Sequence, residues 1–128
     1  MKRARIACVG LAMLLLLAAA AGCGDDDADA LGVGATCAFG DNCGEAQTCL
    51  VQFKGGYCGL AGCNANAACP ENSACVVHTD GKYYCFRTCF DKVDCNANRP
   101  ADLEANCSSS VVFASGIKEG KVCLPPSK

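Results

Sequence analysis

Fourteen cysteines are the residues of this 128-residue chain whose number and spacing could do chemistry. A thiolate can ligate metal, attack a carbonyl, accept a lipid or pair with another cysteine, and each role needs particular company. Structural zinc asks for two short C-x2-4-C knuckles. Only Cys85-x3-Cys89 has that spacing, and no second pair accompanies it, so no metal is expected. Nucleophilic catalysis asks for a histidine beside Ser, Cys or Thr. The single histidine, His78, falls in the strand-like run Val76-Val77-His78-Thr79 and reads as a surface cross-strand partner beside Tyr83. No G-x-S-x-G, H-E-x-x-H, G-x-G-x-x-G or P-loop pattern occurs, and the stretch from Gly116 to Lys121 has the wrong spacing for a phosphate loop. Glu71, Asp91, Asp94, Asp102 and Glu104 offer carboxylates without any feature that pairs them. The chain is therefore not expected to be an enzyme, and no cofactor is expected. Acylation and oxidation are the thiol chemistries left.

Acylation points to Cys23. Met1–Arg5 is basic and Ile6–Ala21 is apolar, the layout of an export signal over residues 1–22. The apolar run falls short of the ~20 residues that span a bilayer. It ends in Ala20-Ala21-Gly22-Cys23, which resembles the lipobox of bacterial lipoproteins, although Ala20 stands where leucine is preferred. That resemblance implies a diacylglyceryl group on Cys23 and cleavage just before it. Small neighbours let the peptidase approach the bond, and a thiol is the group that accepts the lipid. The rival reading is ordinary cleavage that leaves Cys23 as a disulfide partner. Parity favours lipidation: Cys8 leaves with the leader, Cys23 is acylated, and the remaining twelve cysteines are an even number.

Residues 23–36 then read as the lipidated cysteine and an acidic flexible tether, GDDDADALGVGA over 24–35. The run lacks the spaced ligands and turn glycine of a calcium loop. Gly24, rather than aspartate, follows the lipid site and points to the outer membrane or cell surface of a bacterial envelope. From Cys23 onward, eight Lys/Arg face thirteen Asp/Glu, a balance of −5. No basic patch forms, which argues against nucleic acid as a partner.

Oxidation accounts for the rest. The twelve cysteines fall into three sets of four within a module spanning 37–128, with repeats at 37–58, 63–85 and 89–123. The first two sets read C-x5-C-x5-C-x8-C and C-x5-C-x5-C-x9-C, and the third opens with C-x5-C before stretching to x11 and x15. Links of four and three residues separate them. Aliphatic residues past position 35 are too scattered to build an ordinary core, so disulfides are expected to replace one.

Short β-hairpins must position these sulfurs. In the second set Val76–Thr79 and Lys82–Tyr84 flank Asp80-Gly81, a two-residue turn signal. The first set offers Leu50–Phe53, a Lys54-Gly55-Gly56 turn and Tyr57; the third offers Val111–Phe113 and a looser return to Val122. With Asp80-Gly81 as the loop, Val77 faces Tyr84, Val76 faces Cys85 and Cys75 faces Phe86. That register sends Cys75 and Cys85 to opposite faces and disfavours a bridge between them. Two schemes stay open, crossed (first to third, second to fourth) and nested.

The frame, with a polar residue before the second cysteine (Asn42, Asp94) and an aromatic or valine before the fourth (Tyr57, Tyr84, Val122), resembles the cysteine-rich repeats of lipoproteins from predatory and soil bacteria. It is also similar to the amino-terminal cysteine-rich domain of Dickkopf-type extracellular proteins. The resemblance covers residues 37–123 and implies an extracellular recognition or structural unit. Crossed pairing occurs in the Dickkopf domain, and it is the scheme favoured here: Cys37–Cys49, Cys43–Cys58, Cys63–Cys75, Cys69–Cys85, Cys89–Cys107 and Cys95–Cys123.

The expected fold is thus small and disulfide-rich, three tandem four-cysteine units with short hairpins and little helix apart from the signal peptide. The expected function is a membrane-anchored extracytoplasmic lipoprotein, a structural or binding module. Its partners would be the membrane, through the lipid, and an extracellular or envelope protein or glycan. Phe53, Tyr57, Tyr83 and Phe90 are contact candidates, against a rival role covering the disulfides. The alternative is a protease-inhibitor-like or toxin-like scaffold, for which the loop Asn96–Asn106, carrying Arg99-Pro100, is the segment to test.

Overall fold

A computed structural model describes residues 32–128. The expected signal 1–22, Cys23 and most of the tether lie outside the described residues. The described chain is mostly strand, cross-linked by six disulfides. Among the described residues the only helix is four 3-10 segments: Gly40–Asn42, Asn66–Ala68, Lys92–Cys95 and Ala101–Leu103.

Seven short strands follow in order: β1 (Thr48–Cys49), β2 (Cys58–Ala61), β3 (Ser73–Val77), β4 (Tyr83–Cys89), β5 (Asn106–Ser108), β6 (Val112–Phe113) and β7 (Lys121–Leu124). The longest, β4, organises the rest. It pairs antiparallel with β3 along one edge, and with β2 and then β7 along the other. β1 extends the sheet beyond β2, β6 beyond β3, and β5 pairs β7. Residues 59–61 and 86–88, expected as links between cysteine sets, are thus sheet strands.

The β3–β4 register differs from expectation by one residue. Val77 faces Tyr83, Val76 faces Tyr84, and Cys75 faces Cys85. The turn explains it. His78 N donates to Lys82 O at 2.8 Å and Gly81 N to His78 O at 2.9 Å, so three residues, Thr79-Asp80-Gly81, form the loop. Gly81 takes the left-handed conformation at φ 78°, and Asp80 Oδ1 accepts the Lys82 N–H at 2.9 Å. A three-residue loop closed by a left-handed glycine is the next commonest hairpin connection after the two-residue turn. A single-residue slip exchanges the faces of one strand. Cys75 and Cys85 therefore share a face, contrary to the expected register.

Two different faces result. One carries Cys75 and Cys85, with Leu60, Cys69 and Ala114 packed against them. The other carries Ala74, Val76, Tyr84 and Phe86, which join Val33, Leu50, Phe53, Tyr57, Phe113 and Val122 in a buried cluster. A true apolar core exists, contrary to expectation, because aromatic rings rather than aliphatic runs build it. Phe53 is its hub, meeting Tyr57, Tyr84 and Phe86 edge-on at centroid distances of 6.2, 5.4 and 5.6 Å, a favoured ring geometry.

The outer hairpins also depart from expectation. Leu50–Phe53 is turn rather than strand; β1 and β2 pair instead, Cys49 facing Cys58. In the third set β5 pairs β7, while Val112 and Phe113 leave that hairpin and pair with Val77 and Val76 of β3. The end of the expected tether is packed as well. Val33 is buried, and Gly34 N and Cys58 N donate to Cys58 O and Ala35 O, each at 2.9 Å.

Candidate functional site

The six bridges join first to third and second to fourth cysteine in every set: Cys37–Cys49, Cys43–Cys58, Cys63–Cys75, Cys69–Cys85, Cys89–Cys107 and Cys95–Cys123. Three sulfurs of each set lie within 4.8 Å of one another. All are oxidised, so none has a thiolate to offer a metal. The third and fourth cysteines face each other across strands in all three sets, Cys49 and Cys58, Cys75 and Cys85, Cys107 and Cys123. Each is bridged instead to a cysteine earlier in its own set; the partner of Cys107 is Cys89, the last residue of β4. The first-to-third bridges close segments of 12, 12 and 18 residues that have no ladder of their own, and the second-to-fourth bridges enclose the hairpins.

His78 is half-buried against the aromatic cluster. Its ring stands edge-on to Phe53 at 5.1 Å and near Tyr84 at 6.0 Å, with Nδ1 3.6 Å from Asp80 Oδ1. Tyr84 OH donates to Asp80 Oδ2 at 2.7 Å and accepts from Gln52 Nε2 at 3.0 Å. The Tyr84 hydrogen bond, aided by the Lys82 N–H, holds the Asp80 carboxyl below its ordinary range. Burial, with Asp80 alongside, raises the Tyr84 phenol. No Ser, Cys or Thr in this network is placed as a nucleophile: Thr79 Oγ1 reaches His78 Nδ1 only at 3.5 Å, as its chain neighbour. The network fastens the β3–β4 turn to the aromatic cluster.

Arg99 does not project from its loop. It is 7% exposed and fills a cage of main-chain carbonyls: Leu103 O at 2.7 Å from Nε, Gly34 O and Gly56 O at 3.0 and 2.9 Å from Nη1, and Lys54 O at 3.0 Å from Nη2. The guanidinium also lies 5.9 Å from the centre of the Tyr57 ring. Burial lowers its pKa against the pull of Tyr57. An inhibitory loop needs an exposed anchor, and Arg99 is committed elsewhere. Tyr57 is fully buried; burial pushes its phenol up to about 12, although the Arg87 N–H, 3.1 Å away, works in the opposite direction. Isolated in a polar loop, Arg99 had no signal of this role: apart from Leu103, its partners are carbonyls far away in sequence.

The four aromatic contact candidates divide. Phe53 and Tyr57 are core, while Tyr83 and Phe90 are exposed, Phe90 by 88%. Phe90 stands on a fixed backbone. Its N–H donates to Asp94 Oδ2 at 2.9 Å, and its carbonyl accepts from Lys121 Nζ at 3.1 Å. Hydrogen bonds from Asp91 and Phe90 N–H groups keep the Asp94 carboxyl below its usual range. Phe90 lines a cleft of about 600 Å³ between the end of β4 and β7, with Asn72, Arg87, Thr88, Asp94 and Lys121 around it. An exposed ring beside polar and charged groups, on a backbone that needs no ordering, is a surface prepared for contact. Among the described residues, no helix is long and apolar enough to cross a membrane.

Comparison with known protein families, with curated proteins and with solved structures finds no match to this chain.

Proposed function

We propose that this chain is an extracytoplasmic bacterial lipoprotein, held to the membrane by lipid on Cys23, whose cysteine-rich part is a binding module built of three related units. What supports the anchor is that the twelve cysteines from 37 to 123 pair among themselves, so none of them is left to take Cys23 as a disulfide partner. Intact mass of the membrane-extracted protein should show a chain beginning at an acylated Cys23. Cys23→Ser should move it out of the membrane fraction. An unmodified Cys23 in a membrane-bound chain would refute the anchor.

Three relationships support kinship of the units. The third and fourth cysteines oppose each other in all three. In the first and third, the polar residue before the second cysteine caps the loop behind it: Asn42 Oδ1 accepts the N–H groups of Ala38 and Phe39, as Asp94 Oδ2 accepts those of Phe90 and Asp91. The residue before the fourth cysteine, Tyr57, Tyr84 or Val122, is buried in the shared core. The second set departs at the capping position, where Ala68 has no side-chain acceptor.

The observation that carries the binding reading is Phe90, exposed on a backbone clamped from both sides at the rim of the cleft. Its partner is an envelope or extracellular protein or a glycan. A photo-crosslinking side chain at position 90 should capture a partner in intact cells that one at exposed Val51 does not. Equal labelling from both positions would remove the special role of Phe90.

A further inference from the structure

The loop between β6 and β7 has features that the binding reading does not use. Residues 115–120 are all exposed, with Ile117 at 69%. Lys118 follows it, and residues 118–120 belong to no turn or regular element. Yet the loop is tied at many points. Gly116 N donates to Phe113 O at 2.9 Å. Ser115 Oγ accepts from Ile117 N at 3.2 Å and donates to Glu119 Oε1 at 2.6 Å. Asn66 Nδ2, from the second cysteine set, donates to Glu119 Oε2. At the entry side, Ala114 N bonds Cys75 O at 2.9 Å and packs on the bridged sulfurs. At the exit side, β7 pairs with β4 and β5, and Cys123 is bridged to Cys95.

We propose that this loop is a reversible inhibitory segment for serine proteases that cut after lysine, with Lys118 as the residue entering the acidic primary pocket. This goes beyond the binding reading and does not rest on it. A protease at the Lys118–Glu119 bond would form an ester between its serine oxygen and the Lys118 carbonyl carbon. The bond to Glu119 nitrogen breaks, and that nitrogen takes the proton. In an ordinary substrate the new amine diffuses away and water completes hydrolysis. Here Glu119 stays fixed, because its carboxylate is held by Ser115 on the acyl side of the break and by Asn66 on the frame. The amine remains poised to attack the ester and remake the peptide bond, with the high effective concentration of a tethered nucleophile. The two sides of the break also stay joined, since Cys107 pairs with Cys123 in the β5–β7 ladder and both belong to the bridged third set.

The test incubates the full oxidised chain, in detergent, with trypsin, following residual trypsin activity and the intact-to-nicked ratio by non-reduced mass spectrometry. Trypsin should be inhibited, and intact and nicked chains should converge on one ratio from either direction. Lys118→Ala should weaken inhibition by about 100-fold or more, the loss expected of a central anchor, and Lys118→Leu should transfer it to chymotrypsin. Ser115→Ala, which removes one of the two holds on Glu119, should keep the fold but speed net hydrolysis of the bond. Complete hydrolysis of the parent bond without inhibition would overturn the proposal. So would full trypsin activity beside an intact loop at about 10 µM chain, far above the nanomolar range of such complexes.

Discussion

The two faces of the β3–β4 hairpin hold the molecule together by different means. The sulfur face ties residues within one cysteine set, since Cys63–Cys75 and Cys69–Cys85 both return to the loop just before the hairpin. The aromatic face joins sets to one another. Phe53 and Tyr57 come from the first, Tyr84 from the second, Phe86 from the link that follows it, and Phe113 and Val122 from the third. Disulfides constrain chiefly the unfolded chain and do so locally. Burial of rings stabilises contacts between segments distant in sequence. Sulfur stands in for a core inside the second and third sets, and the ring cluster joins the sets to one another.

The strongest test of that division is Phe53→Ala. It empties the hub on the aromatic side and should cost about 4 kcal/mol, read from denaturant unfolding of the oxidised chain, with all six bridges still formed. A loss below ~1 kcal/mol would mean that the sulfur face suffices. On the other side, replacing Cys69 and Cys85 together by alanine should cost about 3 kcal/mol for a loop of 16 residues. It should leave the aromatic near-ultraviolet dichroism in place at low temperature.

Tyr57 gives a pH test of the same side. Its folded pKa, about 12, lies above the ordinary value of 10.0. The neutral phenol is what the core accepts, so this contribution is complete below pH 10 and is lost as pH rises from 10 towards 12. Alkaline titration at 295 nm should show Tyr57 ionising only together with unfolding; its ionisation near the ordinary phenol value in a still-folded chain would contradict its burial.

Tyr84→Phe should cost about 1 kcal/mol, since it removes the hydroxyl that joins Gln52 to Asp80. Asp80 has a lowered folded pKa, so its contribution is present above the ordinary carboxylate range and is lost as pH falls through the folded value. Tyr84→Phe should flatten that acid limb in a series of melts from pH 6 to pH 2. Least of all, Phe90→Ala should change stability by no more than ~0.5 kcal/mol. A large loss there would make the exposed ring structural.

The grouping of the twelve cysteines was legible because cysteines at fixed intervals announce themselves, but spacing left crossed and nested pairing open and the crossed choice leaned on resemblance. The sheet register was not legible. Asp80-Gly81 serves both a two-residue and a three-residue loop, and only the hydrogen bonds of His78 and Lys82 distinguish them. The aromatic core left no periodicity to read: its members arrive from three segments, mostly one or two at a time, and Phe113 reaches it by joining β3 rather than its own hairpin. Phe90 was visible as a candidate, but its distinction from Phe53 rests on burial alone. Arg99 was misread for a related reason, since a cage of main-chain carbonyls has no residue signature.

The carbonyl cage of Arg99 has a mechanical consequence. Any pull on the amino-terminal end of the described chain arrives at Gly34, whose oxygen Arg99 holds alongside those of Lys54 and Gly56. Through Arg99 the load passes sideways into the third cysteine set before it reaches Cys37, whose N–H is tied to Gly55 O. A chain leashed at that end would resist by shear across several bonds at once, and beyond them the covalent cross-links leave little slack to draw out.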